Sequence, residues 1–200
     1  MKYIIKILLF SICTFSCSAQ THTLDISDQG WKLEDGAYYK DQNNLLDPFV
    51  GTYLYTNGNT SLKIVLQKKT MSTPANNRYY EDLIIGEYQY IKNGVQLANT
   101  LGRLNVNKTN GWKYSMSGNN IVTNAGLCSE CGPNEKALLL GFSDDITDNY
   151  AQTFRVRRII EDGQPAIKIF ILWAFSTHKV GTPVPPSPNI PGGEYILKKI

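Results

Sequence analysis

The sharpest chemical feature of the sequence is Cys128-Ser129-Glu130-Cys131. Two thiols at this spacing can be joined, can work as a redox pair, or can supply half of a zinc site. A β-turn brings residues i and i+3 to within about 7 Å, a Cα separation that a disulfide tolerates. Redox catalysis instead needs the first cysteine at a helix N-terminus, where its pKa falls, and Gly132-Pro133 argues against a helix there. Structural zinc takes four ligands, and the only imidazoles on offer are His22 and His178, both remote in sequence. A local disulfide is the favoured state in an oxidising compartment. So small a ring is worth about 2 kcal/mol before strain.

Three further clusters carry ligand-type side chains. Ser143–Asn149 (SDDITDN) offers carboxylates for calcium but lacks the EF-hand glycine and spacing. Aspartate and asparagine also favour turns through their own backbone hydrogen bonds, so a plain turn is expected. In Phe154–Arg158, alternation sets Arg155 and Arg157 on one face and Arg158 on the face of Phe154, Val156 and Ile160. Were that face interior, Arg158 would need an acid or an anionic ligand. At a strand end it reaches water instead, which is the expectation. The tyrosines, Tyr88 and Tyr90 among them, suit either a carbohydrate platform or cross-strand packing, and packing is the default. Arg158, Tyr88 and Tyr90 are thus the candidate ligand-binding residues, Cys128 and Cys131 the candidate disulfide. No metal site and no cofactor is expected.

Catalytic signatures are missing. The sequence contains no Gly-x-Ser-x-Gly, no His-Glu-x-x-His, no P-loop and no dinucleotide fingerprint. Two histidines give a Ser-His-Asp triad little to draw on. A carboxylate pair for glycoside hydrolysis leaves no mark in sequence, so a hydrolase of that kind stays open behind two non-catalytic readings. The first is a binding protein for a small molecule or glycan. The second is a structural or interaction module with a filled core that meets a cell-envelope partner.

The elements that would position these residues begin after an address label. Lys2 and Lys6, an apolar run from Ile7 to Phe15, and Cys17-Ser18-Ala19 before Gln20 make residues 1–19 a secretory signal peptide. A lipoprotein signal with Cys17 acylated is the alternative, against which Thr14 stands where leucine is wanted. Export to the periplasm or beyond is therefore expected. No transmembrane segment is expected in the mature chain, which has no apolar run of the length a span needs. Losing Lys2 and Lys6 takes the formal charge from +3 to +1, so nothing draws the domain to nucleic acid.

Residues 20–44 read as a polar N-terminal arm with a short strand at Ala37–Lys40, and residues 45–200 as a single β domain. The stretch Leu45–Leu66 has two alternating runs joined by Asn57-Gly58, a hairpin signal of type I′. Further strands are expected at Tyr80–Lys92, with a bulge or bend at Gly86, and at Val95–Leu101 after an Asn93-Gly94 turn. Trp112–Met116 and Ile121–Thr123 read as two short strands flanking a turn, and Lys68–Arg78 as a loop. Lys136–Ser143, Ala151–Ile160, Ala166–Phe175 and Glu194–Ile200 complete the set. Thr182–Gly193, rich in proline, is excluded from central sheet. The spacing predicts an all-β protein, an antiparallel meander closing as a β-barrel or barrel-like sandwich of about 8–10 strands.

The runs AYYKDQNNLLDPFVGTYLY and YYEDLIIGEYQYIKNG and the closing GEYILKK resemble domain of unknown function 6705, a group of exported bacterial β-proteins. The likeness runs from about Ala37 to Lys199 and is strongest over Asp41–Tyr55. It implies an extracytoplasmic all-β protein and carries over no catalytic or binding residue. Phe49-Val50-Gly51-Thr52-Tyr53 also resembles the Gly-x-Trp opening of lipocalin-like barrels, with tyrosine in place of tryptophan. That echo implies a meander barrel rather than a ligand cavity.

Overall fold

The computed structural model describes residues 21–30, 33–123, 131–143, 150–171, 174–175, 181 and 188–200. The chain enters as two short strands, β1 (Thr23–Asp25) and β2 (Tyr38–Lys40), paired in parallel. The alternating stretch then folds as β3 (Gly51–Asn57) and β4 (Thr60–Ser72). Their turn is centred one residue later than Asn57-Gly58: Asn57 pairs with Thr60, and of the two turn residues only Gly58 takes a positive φ. That pattern fits the glycine-first II′ turn rather than type I′.

From β4 the chain runs antiparallel into β5 (Tyr80–Lys92) and, through Asn93-Gly94, into the side strand β6 (Val95–Asn99). Both turn residues have positive φ, as type I′ requires. The wall continues with β7 (Met116–Thr123), β8 (Lys136–Ser143), β9 (Tyr150–Glu161) and β10 (Gln164–Ile171). A two-residue strand, β11 (Ala174–Phe175), pairs with β9. Finally β12 (Gly193–Lys199) pairs with β10 on one side and with β3 on the other.

Strands β3, β4, β5, β7, β8, β9, β10 and β12 therefore form a closed ring of eight, each antiparallel to the next in chain order. No α-helix occurs among the described residues. No helix among them is long and apolar enough to cross a membrane.

Period-two alternation fills the ring. Leu62, Ile64 and Leu66 of β4, Leu138, Leu140 and Phe142 of β8, and Ile167, Ile169 and Ile171 of β10 all join one buried cluster. Ile26 from the arm and Leu46 and Phe49 from the turn before β3 join the same cluster. Strand β5 is buried on both faces: Ile84, Tyr88 and Tyr90 face the main core, while Leu83 and Ile85 pack with Tyr114 outside the wall.

Several expected features shift: β6 ends at Asn99, and the strand expected from Trp112 begins only at Met116. Strand β4 extends to Ser72, opposite Glu81 of β5, where the sequence suggests a loop. Strand β7 is continuous where two short strands and a turn are expected, because its register shifts between Ser117 and Asn120 and the intervening residues form a bulge. Gly86 is a close-approach site: the β4 pairing runs unbroken through it, and a Cβ there would lie 2.6 Å from Leu66 Cδ2.

Candidate functional site

The seam between β5 and β7 is one of the two shortest joins in the wall. Only Ile84–Gly86 of β5 pair with β7; Tyr80 and Glu81 pair with β2, and Gln89–Lys92 with β6. Below Ile84, a side chain continues the join. Asn119 Nδ2 donates to the Asp82 carbonyl (3.2 Å) and to Glu81 Oε2 (2.8 Å). The bulge in β7 breaks the alternation after Asn119, so that the adjacent Asn119 and Asn120 both line the region around Glu81. Gly118 has no room for a side chain, as a Cβ would lie 2.4 Å from the Leu139 carbonyl oxygen.

Glu81 is the centre of this region and is 2% exposed. Oε1 accepts from Trp112 Nε1 (2.6 Å), and Oε2 accepts from Gln29 Nε2 (3.1 Å) as well as Asn119. All three donors are neutral, and they come from the arm, the Gly111–Lys113 turn and β7. Trp112 is pinned twice, because its backbone N–H also donates to Asn110 Oδ1 (2.9 Å). The residue nonetheless remains 44% exposed. Gly111 lets this turn sit on the end of β4: its N–H donates to Ser72 Oγ at 2.8 Å, and a Cβ would come within 2.9 Å of that oxygen.

Around these groups lies a cleft of about 510 Å³, open to solvent, lined by Gln29, Tyr79, Glu81, Trp112, Asn119 and Ile121 together with arm residues and Lys136. The volume is that of a small-molecule site. Glu81 is the one carboxylate among the described residues that line it. Glycoside hydrolysis by a carboxylate pair requires two facing acids, so the cleft lends that reading no support. A second cleft of about 330 Å³ lies on the other side of Trp112, lined by Tyr114, Ser115, Ser117, Gly141, Ser143 and Thr153 as well as the indole itself.

The residues singled out from sequence fall elsewhere. Tyr88 and Tyr90 are buried in the barrel core, and the Tyr88 ring packs edge-on against Phe142, centroids 5.3 Å apart. Arg158 is exposed at a barrel end, with its guanidinium 5.5 Å from the Phe49 ring centroid. It reaches water there, as a strand-end arginine does. Burial raises the pKa of nearby Tyr53, an effect that Arg158 partly offsets. Burial also pushes Tyr195 up to about 12, with Tyr90 and Tyr55 adding to the shift. The expected disulfide involves Cys128, which lies outside the described residues, as do the signal segment, the acidic turn at 144–149 and His178. No group of three or more metal-ligating side chains occurs among the described residues.

No sequence motif announced the cleft. Trp112 was the one available signal, an indole in a polar stretch bounded by Asn110-Gly111.

A family model described as a family of unknown function (DUF6705) matches residues 1–200. No curated protein and no solved structure matches the chain.

Proposed function

We propose that this chain, which belongs to the family of unknown function DUF6705, is a non-catalytic binding protein whose site is the cleft over the β5–β7 seam. One observation carries the reading: a buried carboxylate, held by three neutral donors, fixes the indole of a half-exposed tryptophan at the edge of an open cleft. An indole presented in this way gives a flat apolar face, and its polar edge is already satisfied. The wall beside it offers amides and hydroxyls from Gln29, Asn119, Asn120, Ser27 and Thr123. A small ligand with an apolar face and a hydroxyl rim, such as a sugar, matches both surfaces. Such a ligand needs no cationic anchor, and Lys136 is the one cation among the described residues lining the cleft.

Native mass spectrometry of the full-length protein, before and after denaturation, tests this. The expected result is a non-covalent adduct of sugar mass that disappears in Trp112→Ala and Asn119→Leu but persists in Arg158→Ala. Binding that ignores Trp112 and Asn119 would overturn the reading.

A second reading rests on β6, which carries exposed Val95 and Leu97. A strand of this kind at a sheet edge can meet a partner.

Export is part of the proposal. It rests on the basic, apolar and small-residue order of residues 1–19, and the intact mass of protein recovered outside the cytoplasm tests it. Cleavage after Ala19 is the expected product, and acylation at Cys17 would move the protein to a lipid anchor. The same spectrum shows the loss of two hydrogens if Cys128 and Cys131 are joined.

A further inference from the structure

Trp112 lines both clefts, and so does strand β7 with the residue before it. Ser115 and Ser117 lie in the second cleft, and beyond the bulge Asn119, Asn120, Ile121 and Thr123 lie in the first. At about 3.3 Å per residue, this run gives a track of roughly 25 Å. The second cleft is rich in hydroxyls, with Ser115, Ser117, Ser143 and Thr153 around Gly141. Gly141 leaves its floor open, since a Cβ there would meet only the Ser117 carbonyl oxygen, at 3.5 Å.

We infer that the two clefts are successive subsites for one extended, neutral, hydroxyl-rich chain, an oligosaccharide that crosses the Trp112 indole. The inference rests on the reading of the first cleft given above and adds the second subsite and the length of the ligand. A phosphate-bearing polymer is disfavoured, because the described residues lining both clefts include a single cation, Lys136.

Calorimetric titration of the full-length protein with neutral glucan, mannan and N-acetylglucosamine series, from mono- to hexasaccharide, tests the inference. In the series that binds, affinity is expected to rise about tenfold, or about 1.4 kcal/mol, as the chain outgrows the first cleft. Gly141→Val, which fills the second cleft, is expected to erase that gain and to leave disaccharide affinity within about twofold. Thr153→Lys blocks the same cleft from its exposed rim and serves if the valine variant does not fold. Trp112→Ala is expected to abolish binding at every length.

Short sugars that bind with no gain on lengthening would overturn the second subsite and leave the first-cleft reading standing. A length gain that survives both blocking variants would also overturn it. Binding by none of the neutral series, or by charged polysaccharides alone, would overturn both readings.

Discussion

Asp41 and Asp82 show how single residues hold the base of this barrel. Asp82 is buried, and its carboxylate accepts from Tyr38 Oη (2.6 Å), Asp41 N–H (3.1 Å) and Met71 N–H (3.2 Å). Burial, reinforced by that bond to Asp82, raises the Tyr38 pKa far above its ordinary value. Asp41 in turn accepts from the N–H groups of Leu45 (2.7 Å) and Leu46 (3.0 Å) and pairs with Lys68 (2.8 Å). This gives the Asp41–Tyr55 stretch its rationale, since the carboxylate shapes the turn that delivers Leu46 and Phe49 to the core. Asp82→Ala strands two backbone donors and a phenol, so a loss of about 3 kcal/mol is expected from urea midpoints.

Glu135 supports a pH prediction. The Arg157 fork reaches it with Nε at 2.7 Å and Nη2 at 3.1 Å and holds its carboxyl below the ordinary value of 4.5. The folded pKa lies below the unfolded one, so this contribution is complete above the unfolded value and is lost as pH falls through the folded value. The stability difference between wild type and Glu135→Gln should therefore be flat near neutrality and vanish in acid, as serial denaturation curves would show. The burial of Asp82 was not legible. An acid in an alternating strand reads as a solvent-facing position, and the partners that satisfy it come from distant segments.

Strands and turns were far more legible, because period two and glycine chemistry are local. Lys136–Ser143 and Tyr80–Lys92 match β8 and β5 from end to end. Asp162-Gly163, like Asn93-Gly94, takes positive φ at both positions. Gly163→Ala should cost about 1 kcal/mol by thermal denaturation, since φ there is +76°. The β7 bulge was illegible: Ser-Gly-Asn-Asn is turn chemistry in isolation, and only the register of β8 makes it part of a strand. Two glycines at the seam should separate by cost. Gly86→Ala meets a leucine methyl that can rotate away, while Gly118→Ala meets the Leu139 carbonyl, which is fixed in the sheet. Comparative urea denaturation should place Gly118→Ala as the more damaging, with a loss of about 1–3 kcal/mol for Gly86→Ala.

At the scale of the molecule, the meander order of the ring follows from the strand list, whereas the filling of its interior does not. Strand β5 is apolar on both faces, and only the closed ring, with Tyr114 packed outside it, says which face is in. The arm showed no period because its buried side chains are scattered: Ile26 sits in the main core, while Ala37 and Tyr39 are buried apart from it. Ile26→Ala should cost about 2–4 kcal/mol and, by loosening Gln29, weaken any ligand in the adjoining cleft. Paired denaturation and titration would show the two losses together.

The ring closes where Lys198 and Lys199 pair with Leu54 and Tyr53, and Ile200 N–H adds a bond to the Thr52 carbonyl at 2.9 Å. That closure has a consequence in time. The first strand of the wall to be synthesised waits for the last one before its outer edge finds a partner. Until then the growing chain carries a curling sheet with two raw edges, the condition in which strands pair with the wrong neighbour. Pairings this distant in sequence also form slowly. The ring stays unfinished until the final seven-residue strand docks on β3, and that strand acts as its clasp.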